Sequence, residues 1–390
     1  MKTRVSGLRY LGVLLLAFGC GQGTDTSASA TADTAKAGTS STATAAATST
    51  ATATASVAST AAPEKTIEDT ATAPAPTGTG DAAAGAAMQS KLDGVKKLAK
   101  NGVLPAGEAD KVMKSGDQAK VALLNAGGEP RTELKYELKP SQKDTTIMKM
   151  DMTMKMELGA GAPAPPAMKL PQVEMALDMT TADKAESNGD MRLTGMVSNV
   201  KVSPGATAME QQVGKAMGDA LTGMKGMKIS YVITPKGRTR DVKVDVPAGA
   251  PAQAQQMVEQ TKQSFENLMA PLPDEAVGTG AQWVVVNRVS TGADILQWTT
   301  YTLKKKDGSR IELQADVTQL AASNTISGPQ MPGTANIDSF ASGGSGLTNM
   351  DLTRIAPDKG TADVKNAMAF SAQGQAMKIE TQVNLQFSRK

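Results

Sequence analysis

The chain has 390 residues, only 3% of them aromatic, with no histidine, one cysteine and 23 methionines. These counts exclude an intrachain disulfide, a Cys/His zinc site and any histidine-based triad or general base. The formal net charge of +3 equals the charge of Lys2, Arg4 and Arg9 at the N-terminus, so the rest of the chain is neutral. It therefore offers no electrostatic footprint for nucleic acid.

Residues 1–20 read MKTRVSGLRYLGVLLLAFGC. A basic start leads into the apolar run Leu11 to Phe18, too short to span a bilayer and suited to the core of a signal peptide. Cys20 follows after Gly19 and is the only cysteine. This layout resembles the signal peptide of bacterial lipoproteins, with Ala17 where that family usually has Leu. The resemblance implies removal of residues 1–19 and attachment of lipid, palmitate included, to the sulfur and amine of Cys20. The mature protein would then sit in the cell envelope, with the outer membrane favoured because Gly21 rather than Asp follows the cysteine. An ordinary secretory leader with a stray cysteine is the alternative. Several acyl chains would anchor firmly, since each buried methylene contributes about 0.8 kcal/mol.

Residues 20–86 are dominated by Thr, Ala, Ser and Gly. Between Thr24 and Gly80 the only aliphatic side chains larger than Ala and Thr are Val57 and Ile67, too few to offset the entropy of ordering. The composition predicts a disordered tether whose typical reach is roughly 40–45 Å. A plain spacer is the simpler reading, and a glycosylated stalk fits the Ser/Thr/Pro content as well.

Ordered structure is expected over 87–390, as one large domain or two halves divided near Pro271. Met88, Leu92, Val95 and Leu98 lie at helical spacing on a basic helix, with Asn101-Gly102 as a stop. A shorter helical or irregular piece covers Glu108 to Lys114, ahead of the run Val121 to Leu124. From Thr132 the period becomes two: Leu134, Tyr136 and Leu138 alternate with charged residues, which predicts a half-buried strand. The clearest strand follows, with Met148, Met150, Met152, Met154, Met156 and Leu158 on one face and charged or hydroxyl residues on the other. After a Pro-rich loop from Gly159 to Pro166, Val173, Met175, Leu177 and Met179 alternate again. Further strands are expected over Met191 to Val202, Met227 to Ile233 and Thr239 to Val246.

Two helical stripes interrupt the series: Met209, Val213, Met217, Leu221 and Met224, and then Met257, Thr261, Phe265 and Leu268. Strands are expected next at Trp283 to Val289, Ile295 to Leu303 and Arg310 to Val317, the last two joined at Asp307-Gly308, a hairpin signal. Ser323 to Gly346, rich in Gly and Ser, reads as a long loop. The chain closes with Leu347 to Ile355, Val364 to Phe370 and Met377 to Phe387. In the last pair, Met368 and Phe370 are expected to face a core with Ile379, Val383, Leu385 and Phe387. The total is about eleven strands and two or three docked helices. The expected class is mainly β or α+β, with antiparallel curved sheets, barrel-like or stacked.

Pro130-Arg131-Thr132-Glu133-Leu134-Lys135-Tyr136, Pro271-Leu272-Pro273, Val277-Gly278-Thr279-Gly280-Ala281-Gln282-Trp283 and Gly343-Gly344-Ser345-Gly346 look similar to a family of uncharacterised β-rich envelope lipoproteins. Lys135 stands where that family would have Arg. The resemblance covers roughly Pro130 to the C-terminus and implies export and a β-rich fold, with no established activity.

Among chemical signals, the Met strand stands out. Thioethers are soft ligands for Cu(I), and Met148, Met150, Met152, Met154 and Met156 share one face. The same spacing serves core packing, which Met fills readily, and packing is the preferred reading. A Met-lined concave sheet could also receive an apolar ligand. Ser198-Asn199-Val200-Lys201 matches a Ser-x-x-Lys pattern but lies on a strand, where the two face opposite sides. Gly278-Thr279-Gly280 lacks the rest of a dinucleotide loop. Asp274 and Glu275 are indistinguishable from solvated loop charges. The expectation is a non-enzymatic, lipid-tethered envelope protein without cofactor. Its expected partners are the membrane through its lipid, and an apolar ligand or envelope protein. The alternative is a Met-rich Cu(I)-binding protein of the periplasm or cell surface.

Overall fold

The computed structural model describes residues 80–159, 166–245, 269–290, 293–326, 334–372 and 375–390. The leader, Cys20 and the tether up to residue 79 lie outside the described residues, as do most of the Pro-rich loop and the helix expected at 257–268. Among the described residues no helix is long and apolar enough to cross a membrane.

Three helices and fourteen strands are described. In chain order they are α1 (Gly80–Leu98), α2 (Glu108–Val112), β1 (Lys120–Asn125), β2 (Thr132–Glu133), β3 (Lys143–Leu158), β4 (Met168–Thr181), β5 (Met191–Val202), α3 (Ala208–Thr222), β6 (Lys228–Ile233) and β7 (Thr239–Asp245). Then come β8 (Ala276–Val277), β9 (Gln282–Ser290), β10 (Ala293–Asp307), β11 (Arg310–Ile326), β12 (Ala335–Asp351), β13 (Lys359–Ala372) and β14 (Gln375–Arg389).

Twelve strands form one antiparallel sheet in the order β1-β9-β10-β11-β12-β13-β14-β3-β4-β5-β6-β7, and β2 pairs with β8 apart from it. The C-terminal strand β14 is inserted beside β3, which joins the early strands to the late ones. The sheet is not closed, since β1 and β7 remain its edges.

The sheet curls strongly. β6 and β9 are nine strand positions apart, which would be about 43 Å on a flat sheet. Yet Leu193 of β5 and Ile229, Tyr231 and Ile233 of β6 share a core with Trp283 and Val285 of β9, Leu303 of β10 and Leu313 of β11. The face carrying this core is concave. Its opposite, convex face on β9–β11 is covered by α1 and α2, where Leu92, Val95, Val112 and Met113 pack on Val284, Val286, Leu296, Trp298 and Leu320. Helix α3 lies on the concave side and buries Met217 and Leu221 against Met150, Met152, Leu170 and Val173. A capping box starts α3: Thr207 accepts from the Glu210 amide, and the Glu210 side chain accepts from the Thr207 amide.

The mainly β class with an antiparallel curved sheet and docked helices agrees with the sequence reading. Several details differ. Helix α1 begins at Gly80, upstream of Met88, because the five alanines at 82–84, 86 and 87 are strong helix formers without apolar periodicity. Gly85 lets it dock closely: a Cβ there would lie 1.7 Å from the Leu123 carbonyl oxygen. Leu98 and Met209, both placed on apolar stripes, are 47% and 65% exposed, since each sits at a helix terminus beyond the sheet it packs on. Residues 134–138 alternate in burial as expected but leave the sheet; the Tyr136 amide bonds to Pro235 O and the Glu137 amide to Leu352 O.

The expected Gly/Ser-rich loop from Ser323 to Gly346 is the main correction. Its ends are strand: β11 continues to Ile326, and β12 runs from Ala335 through Gly343, Gly344 and Gly346, while residues 327–333 lie outside the described residues. The neighbouring strands approach too closely there for side chains; a Cβ on Gly344 would lie 2.4 Å from Asp363 O. Glycine marks a close approach of backbones here, not a loop. Met368, Phe370 and Ile379 share one cluster, whereas Val383 and Leu385 belong to another.

Candidate functional site

Ladder pairing places side chains on the concave face in rows that run across the strands. One row is polar on six consecutive strands: Asn287 pairs with Gln297, Gln297 with Gln319, Gln319 with Ser342, Ser342 with Asn366, and Asn366 with Thr381. At strand spacing this belt spans about 24 Å. It ends at Met154 of β3. Gln319 sits at its centre, donating through Nε2 to Gln297 Oε1 at 2.6 Å and accepting from Ser342 Oγ. Asn366 Oδ1 is buried and has no hydrogen-bond partner among the described residues.

Mostly apolar rows flank the belt, with Thr299 of β10 as a polar member of the adjoining row. On one side Ile295, Ala321, Phe340, Met368 and Ile379 form a buried cluster with Met154. On the other side the next two rows pass through Val285, Val317, Val364, Val383 and Met152, and through Trp283, Ala315, Ala362, Leu385 and Met150. None of these rows contains a charged residue. Most charges of the same strands lie on the convex face, where Lys149 pairs with Glu174 at 3.6 Å and Lys155 with Glu157 at 2.6 Å; Asp144 of β3 is an inward, buried exception held by Arg354.

The rows are not evenly filled. At their ends Val285, Trp283, Val383, Leu385, Met150 and Met152 are buried. In the middle Ala315, Val317, Gly344, Gly346, Ala362 and Val364 face inward yet are only half-buried. These positions lie beside Gln319, Ser342 and Asn366.

The three tyrosines beyond the leader meet at one end of the concave face. Trp283 stacks on Tyr301, with ring centroids 5.6 Å apart and planes 19° apart. Trp283 Nε1 donates to Pro271 O at 2.8 Å, and Tyr136 donates its hydroxyl to Ala270 O at 3.1 Å. Tyr231 is 1% exposed and its hydroxyl has no partner among the described residues. Burial pushes all three phenols up, that of Tyr301 to about 12.

The Met strand lies on this concave face, divided between two clusters. Met150 and Met152 pack with aliphatic residues and α3, with Met148 half-buried beside them. Met154 joins Phe340, Met368 and Phe370, with Met156, Met168 and Met377 at the margin. Among the described residues, no three His, Cys, Asp or Glu gather to hold a metal ion. Ser198 Oγ donates to Ala176 O at 3.4 Å, and Lys201 pairs with Glu174 at 3.8 Å, so the two residues of that motif do not engage each other. Asp274 pairs with Arg238 in an exposed loop, and Gly280 ends a turn that leads into strand β9 instead of a helix.

Composition and motif reading missed the polar belt. Its trace was a single polar residue at an inward position of each alternating strand, such as Thr381 between Ile379 and Val383. No protein-family model matches this sequence, and no curated protein matches it.

Proposed function

We propose that this chain is a lipid-anchored envelope protein that carries an apolar ligand on the concave face of its curved sheet and catalyses no reaction. The observation that carries the reading is the incomplete burial of the inward-facing Ala315, Val317, Gly344, Gly346, Ala362 and Val364. Inward-facing aliphatic groups left half-wet have not gained their full burial energy, about 25 cal/mol per Å² of apolar surface. An apolar guest would supply that burial. The absence of charge from the flanking rows suits a guest without a strongly hydrated head. The leader and Cys20 support the anchoring half of the reading, and the outer membrane is the expected address.

Mass spectrometry of the full chain extracted from its own membrane tests both halves. The expected result is diacylglyceryl and acyl mass on Cys20 together with a stoichiometric apolar small molecule. A bare thiol removes the anchor, and no co-purifying or exchangeable apolar molecule removes the carrier.

A second reading rests on the thioethers of Met154, Met156, Met168, Met368 and Met377, which four strands bring to one cluster. Soft sulfur ligands of this kind suit Cu(I). Anaerobic Cu(I) titration of the full chain, with Met154 and Met368 changed to Leu, separates this from packing. Equal affinity in both proteins ends the copper reading.

A further inference from the structure

Resting on the anchored reading, we infer that the outward side of α1 is a docking surface for anionic phospholipid headgroups, laid against the membrane that holds the anchor. The chain beyond its leader is neutral overall, yet residues 88–120 carry seven lysines and four acids, a net charge of +3. Lys91, Lys96, Lys97 and Lys100, with Lys114 after α2, are exposed, and none pairs with a carboxylate among the described residues. Three of the four acids already have cations: Asp110 meets Arg288, Glu108 meets Lys111 and Asp117 meets Lys120. Asp93 accepts from Gln89 and is the one carboxylate inside the lysine run.

Leu92 and Val95 pack on the sheet. At about 100° per residue, Lys91 and Lys96 then border the packed side and Lys97 faces away from it. Leu98, 47% exposed, stands in the same run as these ammonium groups. A bilayer surface complements that combination: phosphates take the lysines, and Leu98 enters the boundary between heads and tails. Each lysine near an anionic surface strengthens attachment about fivefold. Residues 80–125 hold no aromatic side chain on which a nucleic-acid base could stack. The tether expected from composition runs directly into α1 at Gly80. Because α1 packs on the convex side, docking turns the concave face away from the bilayer.

The test is flotation of the full chain, extracted from its own membrane, with liposomes of phosphatidylcholine alone or mixed with phosphatidylglycerol. Lysine acetylation read by mass spectrometry follows. On the anionic liposomes Lys96, Lys97 and Lys100 should react about fivefold or more slowly than on the neutral ones. Lys215 on α3 and Lys225 after it, on the concave side, should react equally on both. Concentrated sodium chloride should erase the difference, since salt screens these charges. Lys96→Glu with Lys97→Glu, both at exposed positions, should also lift the protection of Lys91 and Lys100. Equal acetylation on both liposomes, with the protein floating on both, overturns the docking and leaves the anchor. Protection that survives in the double variant also overturns the docking. Flotation on the anionic liposomes alone upholds the docking and removes the anchor, and flotation on neither removes both.

Discussion

Arg288 grips Asp294 with two parallel hydrogen bonds, of 2.5 and 2.6 Å, across the β9–β10 hairpin. The guanidinium is 5% exposed, donates also to Met113 O, and lies 3.3 Å from Asp110 of α2. One side chain thus ties the convex helices to the sheet.

Arg288→Ala should therefore lower unfolding stability by on the order of 3 kcal/mol, because Asp294 is left without its partner. Arg288→Lys should recover only part of this, since an ammonium cannot reproduce the fork. Urea unfolding of the full chain measures it. A loss under 0.5 kcal/mol for the alanine variant would show the grip to be energetically idle.

Two glycines should respond in opposite ways. Gly344→Val places a Cβ 2.4 Å from Asp363 O and 3.0 Å from Val364 Cα, both backbone atoms that cannot swing aside. The expected cost is about 1–3 kcal/mol. Gly94, inside α1, has nothing within 4 Å of its would-be Cβ, so Gly94→Ala should add about 0.5–1 kcal/mol. Paired melting curves decide, and equal shifts would contradict the close approach at Gly344.

Removal of the α3 cap by Thr207→Ala should cost about 1 kcal/mol. The loss should concentrate in faster hydrogen exchange of the first turn of α3 while β9 amides stay protected. Uniform acceleration across both would mean that α3 and the sheet open as one unit.

Alkali should unfold the protein through its tyrosines. Tyr136, Tyr231 and Tyr301 hold folded-state pKa values above the ordinary value near 10. Their contribution is intact below that value and is lost as pH rises through the folded values. Each adds a slope of up to about 1.4 kcal/mol per pH unit. Phenolate absorbance from these residues should rise together with loss of the far-ultraviolet strand signal. Full ionisation near pH 10 with the strands intact would contradict the burial.

Period-two alternation made most of the sheet readable, because one face is apolar and the other charged. Met148 to Leu158 shows it best. The route of β12 was hidden, since Gly343, Gly344, Ser345 and Gly346 carry the composition of a loop and reveal their role only when β11 and β13 press in from either side. Leu134 and Tyr136 alternated as a strand would, yet the Tyr136 and Glu137 amides bond to turns after β6 and β12, a long-range choice that local pattern does not encode. The belt was hidden for a similar reason. Asn287, Gln297, Gln319, Ser342, Asn366 and Thr381 are single polar residues far apart in sequence, and only strand register aligns them.

No ladder joins β1 to β7, so the two ends of the curled sheet meet chiefly through side chains such as Tyr231, Leu193 and Trp283. A few main-chain bonds, among them Tyr136 N to Pro235 O and Leu272 N to Lys236 O, cross near this seam. What keeps the seam shut is then mostly the exclusion of water, a force that fades on cooling and grows in sulfate or phosphate. Chilling should loosen this junction before it touches the hydrogen-bonded strands, giving a body that gapes in the cold and tightens in warmth.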